Sequence, residues 1–306
     1  MAEEPVVGFM VPHHGSLAYL RAAVESVLAQ SDPRWTLTVV EDGEHRGVGR
    51  WLRSLDDPRV RHETNPVRVG LAGNFQRCLD LSRTAYVTFL GNDDVLLPHY
   101  VATMAAGIAA HPDATVLQPR VSVIDAEGRP CWPIADRVKA QLAPRSRQAV
   151  ELSGERAVAS LVRGNWTYFP ALCWRREHVS WLGFRQDLPT TLDLALLTDA
   201  LIAGSTMVVL PEVAFQYRRH AASASSASAH DAGRFVEEAA LLDELAARCH
   251  ALGWEQACRA ARVRLTSRLH AAQVGLAAAH SRDWTRSGTA FSQLVTSSLH
   301  TRQTAS

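Results

Sequence analysis

The chain carries little that would tie it to nucleic acid, a membrane or an oxidising compartment. Over 306 residues the formal net charge is only +1, and no basic stripe is interleaved with aromatics, which argues against a nucleic-acid partner. No apolar run approaches the roughly 20 residues needed to span a bilayer. The five cysteines (Cys78, Cys131, Cys173, Cys249 and Cys258) form no C-x-x-C pair, which excludes a zinc ribbon, and an odd, scattered set fits reduced thiols. Met1-Ala2-Glu3-Glu4-Pro5 is acidic and leads straight into an apolar stretch, so the expectation is a soluble, cytoplasmic protein without a signal peptide. Two phosphate-binding signatures are also missing. No G-x-x-x-x-G-K-[S/T] occurs, and Gly47-Val48-Gly49, the only Gly-x-Gly, lacks the third glycine of a dinucleotide fingerprint. Pro12-His13-His14-Gly15 is likewise not the Gly-rich basic loop expected of a sugar nucleotidyltransferase.

What is present is a rhythm. Val6 to Pro12 is a short continuous apolar run, the pattern of a strand buried on both faces. Leu20, Ala23, Val24, Val27 and Leu28 then recur at helical spacing, and Asp32-Pro33 marks the exit. Thr36 to Val40 reads as a second strand, 48–55 as a helix, Val60 to Glu63 as a third strand, 73–82 as a helix and Tyr86 to Leu90 as a fourth strand. This alternation predicts a mainly parallel sheet with helices on both faces. Ligands of such sheets lie beyond the carboxyl ends of the strands. Three of those ends are polar here: Pro12-His13-His14-Gly15, Glu41-Asp42-Gly43-Glu44 and Asn92-Asp93-Asp94.

The second half is less regular. Residues 115–118 and 120–124 read as one interrupted strand ending at Asp125, and Asp125-Ala126-Glu127-Gly128 as a turn. Residues 130–147 are expected to form a loop on the acceptor side, 154–162 a helix, 167–174 a strand-like segment and 193–203 a helix. Thr206 to Leu210 is expected as a strand leading through Pro211 to Tyr217-Arg218-Arg219-His220. The Ser/Ala stretch 221–229 is low-complexity, either a plain linker or a lid. From Ala232 to about Val295 the chain reads as Ala-rich helix, and 301–306 as a frayed tail. The expected organisation is a main domain over 1–230, its halves dividing near residue 100, followed by a helical extension over 231–306.

The most informative single segment is Tyr86-Val87-Thr88-Phe89-Leu90-Gly91-Asn92-Asp93-Asp94, a buried-strand pattern that ends on two adjacent carboxylates. Two like charges side by side in a protected place are costly unless a cation or strong donors answer them. The pair therefore reads as a divalent-metal site, with helix N-capping the plainer alternative.

Taken in order, these residues resemble family 2 glycosyltransferases, enzymes of the GT-A fold that use nucleotide-sugar donors. Val7 to Pro12 resembles that family's first strand and Leu20 to Gln30 its first helix. Glu41-Asp42-Gly43 resembles its nucleoside-reading turn, Gly70 to Asn74 the turn and helix start before the metal strand, and Gly91 to Asp94 with Pro98 its D-x-D region. The likeness covers about residues 6–220. It implies a mixed α/β GT-A fold with a helical C-terminal extension, an inverting hexosyltransferase-like activity, a Mn²⁺ or Mg²⁺ cofactor, a UDP- or dTDP-sugar donor and a hydroxyl acceptor. It implies Asp94 and His220 as metal ligands, and Pro12, His13, Glu41, Asp42, Asn74 and Asp93 around the nucleotide. Asp193 becomes the general base, with Asp187 and Asp199 as substitutes and a helix cap as the plain reading. Arg218, Arg219 and Trp166 are candidates for phosphate or acceptor contacts, although Trp166, like Tyr168, reads equally well as core. Asn165-Trp166-Thr167 matches a glycosylation sequon that a cytosolic chain would not use.

Four positions depart from the family pattern. Gly91 stands where a first acidic residue is common, Glu41 where Asp is common, Leu192 where an acidic neighbour of the base is common, and Phe75-Gln76 where Arg-Asn is often seen. The alternative is a degenerate scaffold that binds a nucleotide sugar or a partner protein without turnover. The C-terminal helices could form a homodimer contact. The Ala/Arg-rich composition suggests a bacterial source.

Overall fold

The structure, a computed structural model, describes residues 4–43, 47–220, 232–264 and 268. Strands β1 (Val7–His13), β2 (Trp35–Glu41), β3 (Val60–Thr64) and β4 (Tyr86–Phe89) alternate with helices α1 (Leu17–Leu28), α2 (Val48–Ser54) and α3 (Gly70–Leu81). After β5 (Val95–Leu96) come α4 (Tyr100–Ala110), β6 (Val116–Ile124), α5 (Ile134–Leu142), β7 (Val150–Ser153) and α6 (Gly154–Arg163). Then follow β8 (Cys173–Arg175), α7 (Arg176–Ser180), α8 (Leu192–Ile202) and β9 (Thr206–Arg218), and finally α9 (Ala232–Ala251) and α10 (Glu255–Val263).

These strands make one nine-stranded sheet in the order β3-β2-β1-β4-β8-β6-β9-β5, with β7 joining β9. From the pairings, β1, β2, β3, β4, β6 and β9 run in one direction, and β5, β7 and β8 run against them. The sheet is therefore mixed and mainly parallel, as the alternation implied. Period-two alternation divides its strands between two cores. Val7, Phe9 and Val11 of β1 face one core with α1, α2 and α4, while Met10 faces another with α3, α6, α8, α9 and α10. Both faces are covered, which is why β1 and β4 read as unbroken apolar runs.

Helix α5 lies inside the stretch 130–147 expected as a loop; Ile134 and Val138 recur at helical spacing, but they stay exposed and are not the side the helix buries. Its buried position is Asp136, and Ile134 stays 78% exposed. The segment 167–174 contains a 3₁₀ turn at Phe169–Ala171 before β8. Strand β9 runs unbroken through Pro211, whose missing N–H falls at the irregularity where β6 and β9 shift register near Gln118 and Arg120. The C-terminal helices do not stand apart. Leu241, Leu242, Leu245, Cys249, Ala257, Cys258 and Ala261 belong to the same apolar cluster as α6 and α8. The linker-or-lid stretch 221–229, the helical reading beyond 268 and the tail 301–306 lie outside the described residues.

Candidate active site

The carboxyl ends of β1, β2, β4 and β9 bring most of the expected residues to one edge of the sheet. At the end of β2, Asp42 is buried and is held by the start of α3. Its Oδ1 accepts from the Val69 N–H at 2.8 Å and the Asn65 amide at 3.1 Å, and its Oδ2 from the Gly70 N–H at 2.9 Å. The first N–H groups of a helix lack intrahelical acceptors, so a carboxylate here serves both hydrogen bonding and the helix dipole. Gly70 has φ +76°, a conformation glycine adopts without penalty, and this turns the chain into α3. Asn74 is buried beneath, donating to the Val40 carbonyl at 3.0 Å and accepting from Asn65. Glu41 is buried and meets His62 Nε2 at 2.7 Å. His13 is buried at the end of β1, 3.2 Å from the Asn92 amide, next to half-buried Pro12.

The acidic loop after β4 has an unusual local balance. Asp94 is 1% exposed; its Oδ1 accepts from the Arg218 N–H at 2.9 Å, while its Oδ2 is buried without a hydrogen-bond partner. Burial first, and then the charge of Asp93, push the Asp94 carboxyl well above the usual carboxylate range. Asp93 Oδ2 lies 2.8 Å from His220 Nε2, and the His220 ring packs on Tyr19 of α1 at 4.6 Å. A Cβ built on Gly91 would meet Asp94 Oδ2 at 2.4 Å. The glycine therefore makes room for the inward carboxylate. A buried, partnerless carboxylate oxygen beside a second carboxylate suits a cation. Among the described residues, however, no group of three or more His, Cys, Asp or Glu side chains is arranged to hold a metal unaided.

The arginines at the end of β9 take a different part from the one expected. Arg218 is buried and donates through Nε to the Asp93 carbonyl at 2.7 Å and through Nη1 to the carbonyls of Asp125 and Ala126. Arg219 makes a two-pronged ion pair with fully buried Asp136 of α5, at 3.0 and 2.9 Å. The Arg218 guanidinium thus braces loop carbonyls and the Arg219 guanidinium braces helix α5. Trp166 is 1% exposed, donates to the Ser160 hydroxyl and sits in the core, so the packing reading replaces the acceptor-contact reading.

Asp193 lies in the first turn of α8. Its Oδ1 accepts from the Leu194 N–H at 2.8 Å and its Oδ2 from the Asn165 amide at 3.0 Å. Each oxygen keeps a second lone pair. Lys139 of α5 reaches the Thr167 carbonyl at 2.7 Å and lies 4.6 Å over the Tyr168 ring. Desolvation and the Arg219 charge lower its pKa to about 8, against the attraction of Asp193 and Asp136. Arg219 is thus paired with Asp136, and Lys139 lies within electrostatic reach of both Asp136 and Asp193. Asp187 and Asp199, the substitutes, are paired with Arg185 and Arg248. Sequence reading missed Asn65, Tyr19, Lys139 and Asp136, and took Asn92 only as part of the acidic cluster. Asn165 was noticed only as part of a sequon.

Residues 9–168 match the family model "Glycosyl transferase family 2", and the chain belongs to that family. Among curated relatives, the O-antigen biosynthesis protein RfbC of Myxococcus xanthus is 28% identical over 132 residues, 42% of this chain and 10% of RfbC. The putative teichuronic acid biosynthesis glycosyltransferase TuaG of Bacillus subtilis is 29% identical over 93 residues, 30% of this chain and 37% of TuaG. The chain spans between 10% and 39% of the length of the curated relatives it matches. Among solved structures, S. aureus TarS 1-349 superposes with TM-score 0.66 at 15% identity, covering 94% of this chain and 81% of TarS 1-349. TarS 1-349 in complex with UDP-GlcNAc gives 0.62 at 14% identity, covering 93% and 90%. These likenesses show a shared GT-A fold.

Proposed function

We propose that this protein transfers a sugar from a nucleoside diphosphate sugar to an acceptor hydroxyl with inversion at the anomeric carbon. The observation that carries the reading is the buried, partnerless Oδ2 of Asp94, set beside Asp93 at the end of β4 within a family 2 domain. The nucleotide would lie over β1 and β2 against half-buried Pro12, with His13 and Glu41 buried beneath and supporting the pocket. Asp42 retains capacity for one more donor beyond those it already accepts. Asp94 would hold Mn²⁺ or Mg²⁺; His220, expected as the second metal ligand, instead lies 2.8 Å from Asp93 and would keep that carboxylate beside Asp94. Bound there, the ion would supply charge neutralisation for the leaving diphosphate.

On the acceptor side Asp193 is the general base. The acceptor oxygen forms the new bond to the anomeric carbon, its proton passes to an Asp193 oxygen, and the old C–O bond breaks with its electron pair leaving on the diphosphate. Asn165 and the Leu194 N–H fix the carboxylate for that transfer, and base catalysis of this type contributes about 10²–10⁴-fold. The UDP-GlcNAc bound to TarS makes uridine nucleotides the first donors to test. A second reading, binding without turnover, is favoured by the small number of metal-ligating groups among the described residues.

The test is calorimetric titration of UDP-, dTDP- and GDP-sugars with Mn²⁺ or with EDTA, on wild type, Asp94→Ala and Asp193→Asn. Expected are micromolar binding of one nucleotide class, its loss in Asp94→Ala or EDTA, and retention in Asp193→Asn. With an acceptor in hand, Asp193→Asn should lower kcat by at least 100-fold. Wild-type binding of no nucleotide sugar would sink the proposal. Binding without turnover in any acceptor screen would favour the second reading.

A further inference from the structure

The turn that carries Asp193 is held from outside by a residue of the C-terminal helices. Helix α8 has no side-chain cap of its own, since the Thr191 hydroxyl does not accept from the helix. Instead one oxygen of Glu237, on α9, takes three donors from the two residues before the helix. Glu237 Oε1 accepts from the Thr190 N–H at 2.9 Å, the Thr191 N–H at 2.7 Å and the Thr191 hydroxyl at 2.8 Å.

The same face of α9 grips the flanking chain twice more. Arg185 donates to both oxygens of Glu244, at 2.9 and 2.7 Å, and Arg248 pairs with Asp199 further along α8. Glu237 and Glu244 lie seven residues apart and Arg248 four beyond, so the three share one helical stripe.

We infer that Glu237 is a positioning residue for Asp193, and that the C-terminal helices serve the chemistry by fixing the base turn; the catalytic part of this inference rests on the proposed function. The physical reason is competition. Thr190 and Thr191 present two N–H groups and one hydroxyl at a helix start where an acceptor is required. Asp193 is a carboxylate only two residues beyond Thr191. With Glu237 present, those donors are satisfied from α9, and the Asp193 oxygens are left to Asn165 and Leu194. With Glu237 removed, Asp193 is the carboxylate that the same donors would recruit, which turns it away from Asn165. An Asn or Gln side chain at an outside capping position keeps an acceptor oxygen, so a glutamine should restore most of the function.

The experiment compares full-length wild type, Glu237→Ala, Glu237→Gln and Glu244→Ala by amide hydrogen exchange over 188–195 and by steady-state kinetics on the donor found above. In Glu237→Ala the Thr190 and Thr191 amides should exchange at least tenfold faster, kcat should fall at least tenfold, and donor KM should stay within twofold. Glu237→Gln should recover most of both losses. Glu244→Ala, which weakens the same helix without touching the turn, should leave kcat near wild type. Unchanged exchange in Glu237→Ala overturns the inference, as does an equal kcat loss in Glu244→Ala. If wild type binds no nucleotide sugar, the proposed function fails while the exchange result still decides whether Glu237 holds the turn.

Discussion

At Gly91 a hydrogen atom in place of a side chain decides where the acidic loop points. The space a Cβ would need is already taken by Asp94 Oδ2 at 2.4 Å and Asp93 Oδ1 at 3.1 Å. A contact under 3.0 Å cannot be absorbed without displacement, and Asp94 is the atom group closest to it. Gly91→Ala should therefore lower metal-dependent nucleotide-sugar affinity at least tenfold, or about 1.4 kcal/mol, by calorimetry. Gly91→Asp, which adds the acidic residue the family pattern favours, should bind no better than Gly91→Ala. Recovery of wild-type affinity in Gly91→Asp would mean the loop has room that the geometry denies it. Asp93 and Asp94 stood out because an apolar strand ending on carboxylates is a short-range pattern, whereas Asp193 was singled out only through the family resemblance. The parts of Arg218, Arg219 and Trp166 were not, since a charged or aromatic residue near a site reads the same whether it faces a ligand or a buried partner. Asp136 decides that question for Arg219 from 83 residues away in the chain.

At the scale of elements, the link between β2 and α3 runs through one side chain. Asp42 connects the end of a central strand to the first N–H groups of a helix that begins 28 residues later. Replacing it with alanine leaves the buried Asn65 amide and the part-buried N–H groups of Val69 and Gly70 without their acceptor. The expected cost is about 2–3 kcal/mol in urea unfolding, from lost charge-assisted bonds and capping. Asp42→Asn, which keeps one acceptor oxygen, should cost less than half as much. If Asp42 served the nucleotide alone, both variants would unfold like wild type. The regular first half of the sheet was readable because buried parallel strands and amphipathic helices announce themselves within a window of about ten residues. Helix α5 was not readable, because it hides a charged residue and exposes apolar ones. Strand β5 is only two residues long and owes its existence to β9, to which it pairs at Gln216 and Phe215. The departure at Phe75-Gln76 also has a structural outcome. Phe75 joins Phe89, Phe169 and Phe184 in an aromatic cluster, and Gln76 accepts from the Phe184 N–H at 2.7 Å.

For the whole molecule, the C-terminal helices share a core with the sheet, so a boundary near residue 230 divides sequence composition rather than stability. Leu241, Leu242 and Leu245 are each no more than 2% exposed. Burying three such leucines is worth roughly 5–9 kcal/mol, comparable with the entire stability of many domains. A chain ending after His220 should therefore lose cooperative thermal unfolding and bind a hydrophobic dye at room temperature. A truncated chain that melts cooperatively within a few degrees of the full one would show that the two parts fold independently. No helix among the described residues is long and apolar enough to cross a membrane.

Arg218 also bears on how this protein tolerates change. Its main chain holds Asp94, its guanidinium holds the carbonyls of Asp93, Asp125 and Ala126, and its cationic centre lies 5.2 Å over the ring of Tyr19. Residues from α1, the loop after β4, the turn after β6 and the end of β9 thus share one side chain. Substitutions at these positions will not combine additively, because each alters the reference state of the others. A library built to retune donor choice would do best to hold position 218 constant and vary its neighbours jointly, since single-site scans around it will mistake mutual dependence for intolerance.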